Sequence, residues 1–379
     1  MARSSVLEPG TRRVHKMWRE SLHTGICYRT ESLVGCASTD RRREFGESMN
    51  TNDQFYAERL ERFTSSMLDG GIDIVLVCRH SKLLQYFNQA PSHDFSLYDV
   101  ATRRWDHDND MAHMRQELTT AVVGVEAASL PLLQLTATGQ PRDDPAGVRY
   151  IDAQVSQLRR QKDNLEIATI ARATRAIAHA VRSVGDHLAD LSEIEIECSI
   201  YRNIRQTGMD GWAFDPSVAS GARSSVPWCH PSNRIPSPGE PITIDVGASL
   251  GGYVSDFCRT IIAGGVSTST FEKARRAVRS AKRAGIQLCF PGTPLRDIAM
   301  AMAAEIENHG FAVPSHALGH GIGLDLHEPP TVSVSSKEIL FNRTVLNIEP
   351  AVYIERWGGY REETTVLVTQ NGPQVLADD

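Results

Sequence analysis

One stretch constrains this chain more than any other: PITIDVGASLGGYVSDFCRTII, residues 241–262. Two apolar, β-branched runs flank a glycine-rich turn, and each run carries one aspartate, Asp245 and Asp256. Ile242, Ile244 and Val246 alternate with Thr243 and Asp245, the periodicity of a strand. Gly247, Gly251 and Gly252 supply the turn. A hairpin of this kind sets both carboxylates at one end of a sheet. Buried there they repel each other, and a divalent cation between them removes that cost. From the hairpin alone, two solvated aspartates at a strand edge are the favoured reading.

The rest of the chain decides between these readings. Its 379 residues are too many for one small core, which predicts two domains. A net charge of -6 provides no field to draw it to nucleic acid or to an anionic membrane. No run approaches the ~18 apolar residues of a transmembrane helix. Seven cysteines, at positions 27, 36, 78, 198, 229, 258 and 289, are odd in number and lack CxxC spacing. They read as reduced thiols of a cytoplasmic protein, not as a disulfide frame or a zinc site. Residues 1–48 lack periodicity and the apolar core of a secretory signal, so they read as a flexible extension.

Residues 49–152 read as a small α/β domain. FYAERLERFTSSMLDGG has helical spacing and stops at Gly70–Gly71, IDIVLVCRH is a buried strand, and TTAVVGV and LLQLTAT are shorter strand candidates. The His- and Asp-rich stretch 93–117 between them reads as a long polar surface loop. Residues 153–379 form the second domain. It opens with one long amphipathic helix over about 154–184, followed by helices begun by capping boxes at Ser192/Glu195 and Ser269/Glu272. Strands and loops fill the end of the chain.

Four features near that end join the two aspartates. HALGHGIGLDLHEPP carries His316, His320 and His327; TVLNIEPAVYI carries Glu349; YREETTVLVT carries Glu363, with Arg361 two residues earlier and so on the same face of a strand. Each is a weak signal alone. Two Asp, two Glu and one His, each in or beside an apolar run, are costly to bury unless a cation holds them. An oxygen-rich set with one imidazole suits Mn, Fe(II), Co or Zn. Five side chains, four of them carboxylates, are more than one tetrahedral ion requires and fit two ions bridged by carboxylates. Gly319, Gly321 and Gly323 let the backbone approach closely around His320.

The order and spacing of Asp245, Asp256, His320, Glu349 and Glu363 closely resemble the pita-bread metallopeptidases, and GHGIGLDLHEPP is most similar to the prolidase version. The resemblance covers about 152–379, and the preceding segment is similar to the N-terminal domain of the creatinase and prolidase branch. It implies an α+β fold, with a catalytic pita-bread domain behind a smaller α/β creatinase-like domain. It implies a peptidase acting on short peptides at Xaa-Pro bonds, with two divalent ions, Mn(II) first and Co, Fe or Zn as alternatives. Asp245 matches a ligand of one ion, His320 the imidazole ligand of the other, and Asp256 and Glu363 the bridging carboxylates. Glu349 matches a ligand that is also general base toward a metal-activated hydroxide, and His327 the histidine beside the scissile carbonyl. His316 and Arg361 match positions that shape the substrate pocket. A homodimer is the expected assembly.

One departure bears on the substrate. Where the family usually carries a histidine after a proline, ahead of the first metal aspartate, this chain has Trp228, in VPWCHP, with His230 two residues on. Either His230 takes that role through a shifted loop, or Trp228 walls the pocket and His230 is incidental. The alternative function is hydrolysis of a small non-peptide amide or amidine, as in ectoine-hydrolase-like or creatinase-like members. A catalytically dead binding module is the third class, and the complete ligand set argues against it.

Overall fold

The computed structural model describes residues 51–78, 81–89, 95–106, 122–126 and 148–377. The expected extension at 1–48 and the strand candidate LLQLTAT lie outside the described residues.

Ile74–Cys78, four of whose residues are apolar, is the central strand of the first sheet, antiparallel to Phe95–Asp99 and parallel to Val123–Val125. Arg104–Asp106 and Val148–Tyr150 complete the two edges. The helix Thr51–Asp69 lays Phe63 and Met67 into this core. The stretch expected as a polar loop is in part a hairpin, Phe95–Asp99 with Arg104–Asp106. Two aromatics hold it: the Tyr98 ring lies 4.9 Å from Trp105 and 5.7 Å from Phe63. Strands this short, set among charged residues, leave little periodicity to read. The remainder of that stretch, 107–117, lies outside the described residues.

The long helix expected over 154–184 is two helices, Asp152–Arg160 and Asn164–Arg182. Asp163 caps the second and forms a capping box with Glu166, so the chain restarts instead of continuing. The break turns Lys162 inward, where its N–H donates to the Arg343 carbonyl over 2.9 Å. Arg59, 1% exposed, donates to Asp163 Oδ2 at 2.5 Å and to the Tyr86 carbonyl at 2.8 Å. Tyr253 Oη donates to Glu166 Oε1 at 3.2 Å, which ties the turn of the aspartate hairpin to the same knot.

Beyond the break, strands Phe257–Ile262, Pro241–Val246 and Ser217–Ser220 lie side by side, all antiparallel. Their apolar face, with Val218, Ile242, Ile244 and Val246, packs on the helices Asn164–Arg182 and Glu193–Gln206. The capping box at Ser192/Glu195 is present. A five-stranded antiparallel sheet follows, in the order Glu328–Thr331, Gly319–Gly321, Val345–Ile348, Thr364–Thr369, Gly372–Val375. Helices Ser269–Gln287 and Leu295–Asn308 share a core with it. The first of them is capped by Thr268, one residue before the expected Ser269, because the Thr268 hydroxyl accepts from the Phe271 N–H.

The buried Arg59 knot generates a test. Replacement Arg59→Met leaves Asp163 and Glu166 without their cation, and should lower stability by about 3 kcal/mol in urea unfolding. Asp163→Ala, which removes both the cap and the Arg59 partner, should cost as much, roughly 3 kcal/mol.

Candidate metal centre

The two strands of the aspartate hairpin pair antiparallel, with Asp245 directly opposite Cys258, and Asp256 stands immediately before the strand Phe257–Ile262. Between them the chain makes a second small hairpin, Ala248–Leu250 with Tyr253–Val254, turning at Gly251 and Gly252, whose φ values are 56° and 83°. His320 occupies the middle of Gly319–Gly321, between Thr331 on one side and Asn347 on the other. A Cβ at Gly319 would stand 2.4 Å from the Asn347 carbonyl oxygen, and one at Gly321 would stand 2.6 Å from that of Pro329. Only glycine permits strands to close so tightly around this histidine. Glu349 follows Val345–Ile348 directly, and its N–H donates to the Leu318 carbonyl over 3.0 Å. Glu363 sits between Gly358–Arg361 and Thr364–Thr369, and its N–H donates 3.1 Å to the Cys258 carbonyl, fastening it to the hairpin.

These elements bring the five predicted ligands into one buried cluster. Asp245, Asp256, His320 and Glu363 are buried, while Glu349 is half-buried at the wall of a cavity of about 90 Å³. His320 Nε2 lies 3.2 Å from Asp256 Oδ2 and 3.8 Å from Glu349 Oε1. Among the described residues Arg361 is the one permanent cation in contact, paired with Asp245 and lying 3.2 Å from Glu363 Oε1. Burial pushes the Asp245 carboxyl up to about 7 against the opposing pull of Arg361, and pushes Glu349 up to about 7 against that of His320. Burial and the neighbouring Asp256 raise Glu363 well above the carboxylate range. Asp256 would also rise on burial, but His320 beside it holds it low. Burial would lower His320, and Asp256 instead raises it to about 9.

Four acids against one permanent cation is an under-compensated site. Two polar atoms mark where the compensation is missing: Asp245 Oδ1 and His320 Nε2 are both buried without a hydrogen-bond partner. His320 Nδ1 faces the Gly321 carbonyl at 3.0 Å and donates to it, so in the neutral ring Nε2 presents its lone pair. The donor set therefore fits divalent metal. Asp245, Cys258 and Glu363 also place an oxygen, a sulfur and an oxygen within 4.8 Å of one another. Cys258 was not anticipated, although its position opposite Asp245 and two after Asp256 gives it the same face.

The remaining predicted residues separate into two groups. His327, exposed, lines the cavity, with its ring 4.4 Å from that of His320. Trp228 and His230 both line it as well, Trp228 remaining 70% exposed at its lip. His316 and Arg361 stand behind. His316 Nδ1 donates 2.6 Å to the Ala317 carbonyl, so its Nε2 accepts from the Tyr353 hydroxyl at 3.0 Å. That hydroxyl in turn accepts from Arg361 Nη1 at 3.0 Å. Arg361 also donates to the Pro227 carbonyl at 3.1 Å, and so braces the ligands and the Trp228 loop together. Tyr353, like Asn347, which donates 2.9 Å to Glu363 Oε2, carried no sequence signal beyond its place in an apolar run.

Behind His327 the chain is pinned by Glu328. Its Oε1 accepts from the N–H groups of Leu324 and Asp325 at 2.8 and 3.1 Å, and it pairs with Arg159. Lys162 reaches its Oε2 at 3.0 Å.

A profile of metallopeptidase family M24 matches residues 168–370, more than half of the chain. An Xaa-Pro dipeptidase of Pyrococcus furiosus is 32% identical over 230 residues, covering 60% of this chain and 66% of that protein. An Xaa-Pro dipeptidase structure from Bacillus anthracis superposes with a TM-score of 0.76 over 86% of this chain and 98% of its own, at 24% identity. The prolidase structure from Pyrococcus furiosus gives 0.73 over 83% and 99%, at 25% identity. The fold is the mixed α+β pita-bread architecture expected from the motif.

The Glu328 knot makes a pH-dependent prediction. Burial alone would push this carboxyl up, but Lys162 and Arg159 more than offset it and hold it at about 2. Its contribution to stability is fully present above the ordinary value of 4.5, and is lost as the pH falls from there toward 2. Glu328→Gln should therefore lower the melting temperature at pH 7, and the gap from the unaltered protein should close in that acidic window in a thermal-shift series.

Proposed function

Because the chain belongs to metallopeptidase family M24, a family of metal-dependent enzymes, we propose that it hydrolyses short peptides at Xaa-Pro bonds with two divalent ions, Mn(II) foremost. The ions would be held by Asp245, Asp256, His320, Glu349 and Glu363. The observation that carries this reading is the convergence of those five side chains, with Asp245 Oδ1 and His320 Nε2 buried and unpartnered. The names of the relatives supply the substrate class. In the same reading residues 49–152 and 153–379 are the two domains, and the enzyme is a cytoplasmic homodimer. Free thiols at Cys198, Cys229, Cys258 and Cys289 accord with a reducing compartment.

Bound metal supplies a Lewis acid and an activated water. The chain's own residues do the rest. Of the four acids of the cluster, all of which line the cavity, Glu349 is the half-buried one, and burial raises its affinity for a proton. It takes the proton of the attacking water at its carboxylate and returns it to the leaving nitrogen. His327, on the cavity rim, donates toward the scissile carbonyl oxygen as charge develops there. Arg361 holds Asp245 and Glu363 in place, and the Tyr353–His316 pair holds Arg361.

Trp228 on the cavity wall favours a second reading, hydrolysis of a small non-peptide amide or amidine, because its bulk replaces a hydrogen-bond donor. A panel of Xaa-Pro dipeptides, Xaa-Pro tripeptides, Met-starting peptides and N-acetylated diamino acids, run on Mn(II)-loaded protein, separates the two. On the favoured reading Xaa-Pro substrates turn over, and Glu349→Gln lowers kcat by about 10³-fold with metal content retained. Turnover of the N-acetylated diamino acids alone would select the second reading. Exhaustive chelation should abolish turnover and lower the melting temperature, with both restored by Mn(II), because the four acids then lose their counter-charge.

A further inference from the structure

A second cavity, of about 340 Å³, lies against the metal centre and shares His327 with it as a common wall. Its other walls come from separate parts of the chain: Lys82, Glu126, Asp152, Ser156 and Arg159 among them. Charges along this wall differ in how they are satisfied. Glu328 and Asp325 are paired with Arg159, and Glu328 also with Lys162. Glu126 accepts from the Ser81 hydroxyl, which also caps the short helix beginning at Lys82. Lys82 is half-buried and, among the described residues, its ammonium has no hydrogen bond or ion pair. Arg159 Nε is buried in the same wall without a hydrogen-bond partner. A half-buried ammonium and an unsatisfied guanidinium N–H on one cavity are donors awaiting an anion.

We propose that this cavity receives the C-terminal end of peptides longer than a dipeptide, with the Lys82 ammonium meeting the terminal carboxylate. The inference rests on the peptidase reading above and sharpens its substrate class. A peptide cut at the metal centre passes His327, and chain beyond the scissile bond enters the adjoining space. Its volume of about 340 Å³ leaves room for chain beyond the scissile bond, and Lys82 and Arg159 stand on its wall. The carboxylate would face these two cations.

The test compares Ala-Pro-Ala-Ala as the free acid and as its C-terminal amide, with the metal-loaded full-length chain. The acid should be preferred about tenfold in kcat/KM, through KM rather than kcat, as a charge-assisted contact made equally in ground and transition states requires. In Lys82→Met the ratio should fall to near one, and in Lys82→Arg, which keeps the charge, it should return. Metal content and melting temperature report whether each variant is folded. An unaltered protein that does not distinguish acid from amide, or an undiminished ratio in Lys82→Met, overturns the proposal. If no peptide is cleaved, the peptidase reading has failed, and calorimetric binding of the same two tetrapeptides decides the cavity separately. Tenfold tighter binding of the acid that is lost in Lys82→Met supports it; equal binding overturns it.

Discussion

Burying four carboxylates in strands of apolar residues is the constraint to which the rest of the molecule answers. Asp245, Asp256 and Glu363 each have under a tenth of their surface exposed, in a setting where an isolated carboxylate would give up its charge. Three kinds of compensation converge on them. His320 lies 3.2 Å from Asp256 and keeps its carboxyl low. Arg361 pairs with Asp245 and Glu363. Metal, for which the donor atoms are suited, supplies what these two leave over. The fold follows from that requirement: the hairpin delivers two acids, and the five-stranded sheet delivers the histidine and the flanks of the other two. The N–H of Glu363 on the Cys258 carbonyl joins the two sheets at the point where the charges meet.

The cluster was legible in the sequence because a buried acid must interrupt an apolar run, and such interruptions stand out against alternating Ile and Val. The hairpin, the glycines flanking His320 and the cap at Ser192 were legible for a similar reason, since each uses a residue type that one backbone geometry demands. Other features depend on partners far away in the chain. The helix break at Lys162 is marked locally only by the Asp163/Glu166 capping box, which the helical periodicity on either side masks; Glu328, 166 positions later, and the Arg343 carbonyl then hold Lys162 at the break. The hairpin Phe95–Asp99/Arg104–Asp106 was hidden by its charged composition, and is held by Tyr98 stacking on residues that local pattern does not connect. Cys258 and Tyr353 went unremarked because a thiol or phenol within an apolar run reads as core.

The loop bearing Trp228 is anchored largely apart from the strands that carry the predicted metal ligands. Glu193, at the first turn of its helix and 0% exposed, accepts from the Ser220 N–H and hydroxyl at 2.8 and 2.7 Å. The same carboxylate accepts from the Ser232 N–H and hydroxyl at 3.0 and 2.6 Å, and from Arg223 Nε at 3.2 Å. Both ends of the segment 220–232 are therefore clamped on one buried acid. Between them, Ser217 exchanges hydrogen bonds with the backbone of Cys229 at 3.0 and 3.1 Å, and Arg361 holds the Pro227 carbonyl. A segment fixed at both ends and in the middle has little freedom to slide by two residues. Both side chains stand on the cavity wall together, the indole at the lip. The predicted metal ligands lie on other strands and are joined to the loop through Arg361 and through Ser217, the strand partner of Asp245. Variation in 226–230 can thus reshape what enters the cavity while the charge balance at its floor stays the same.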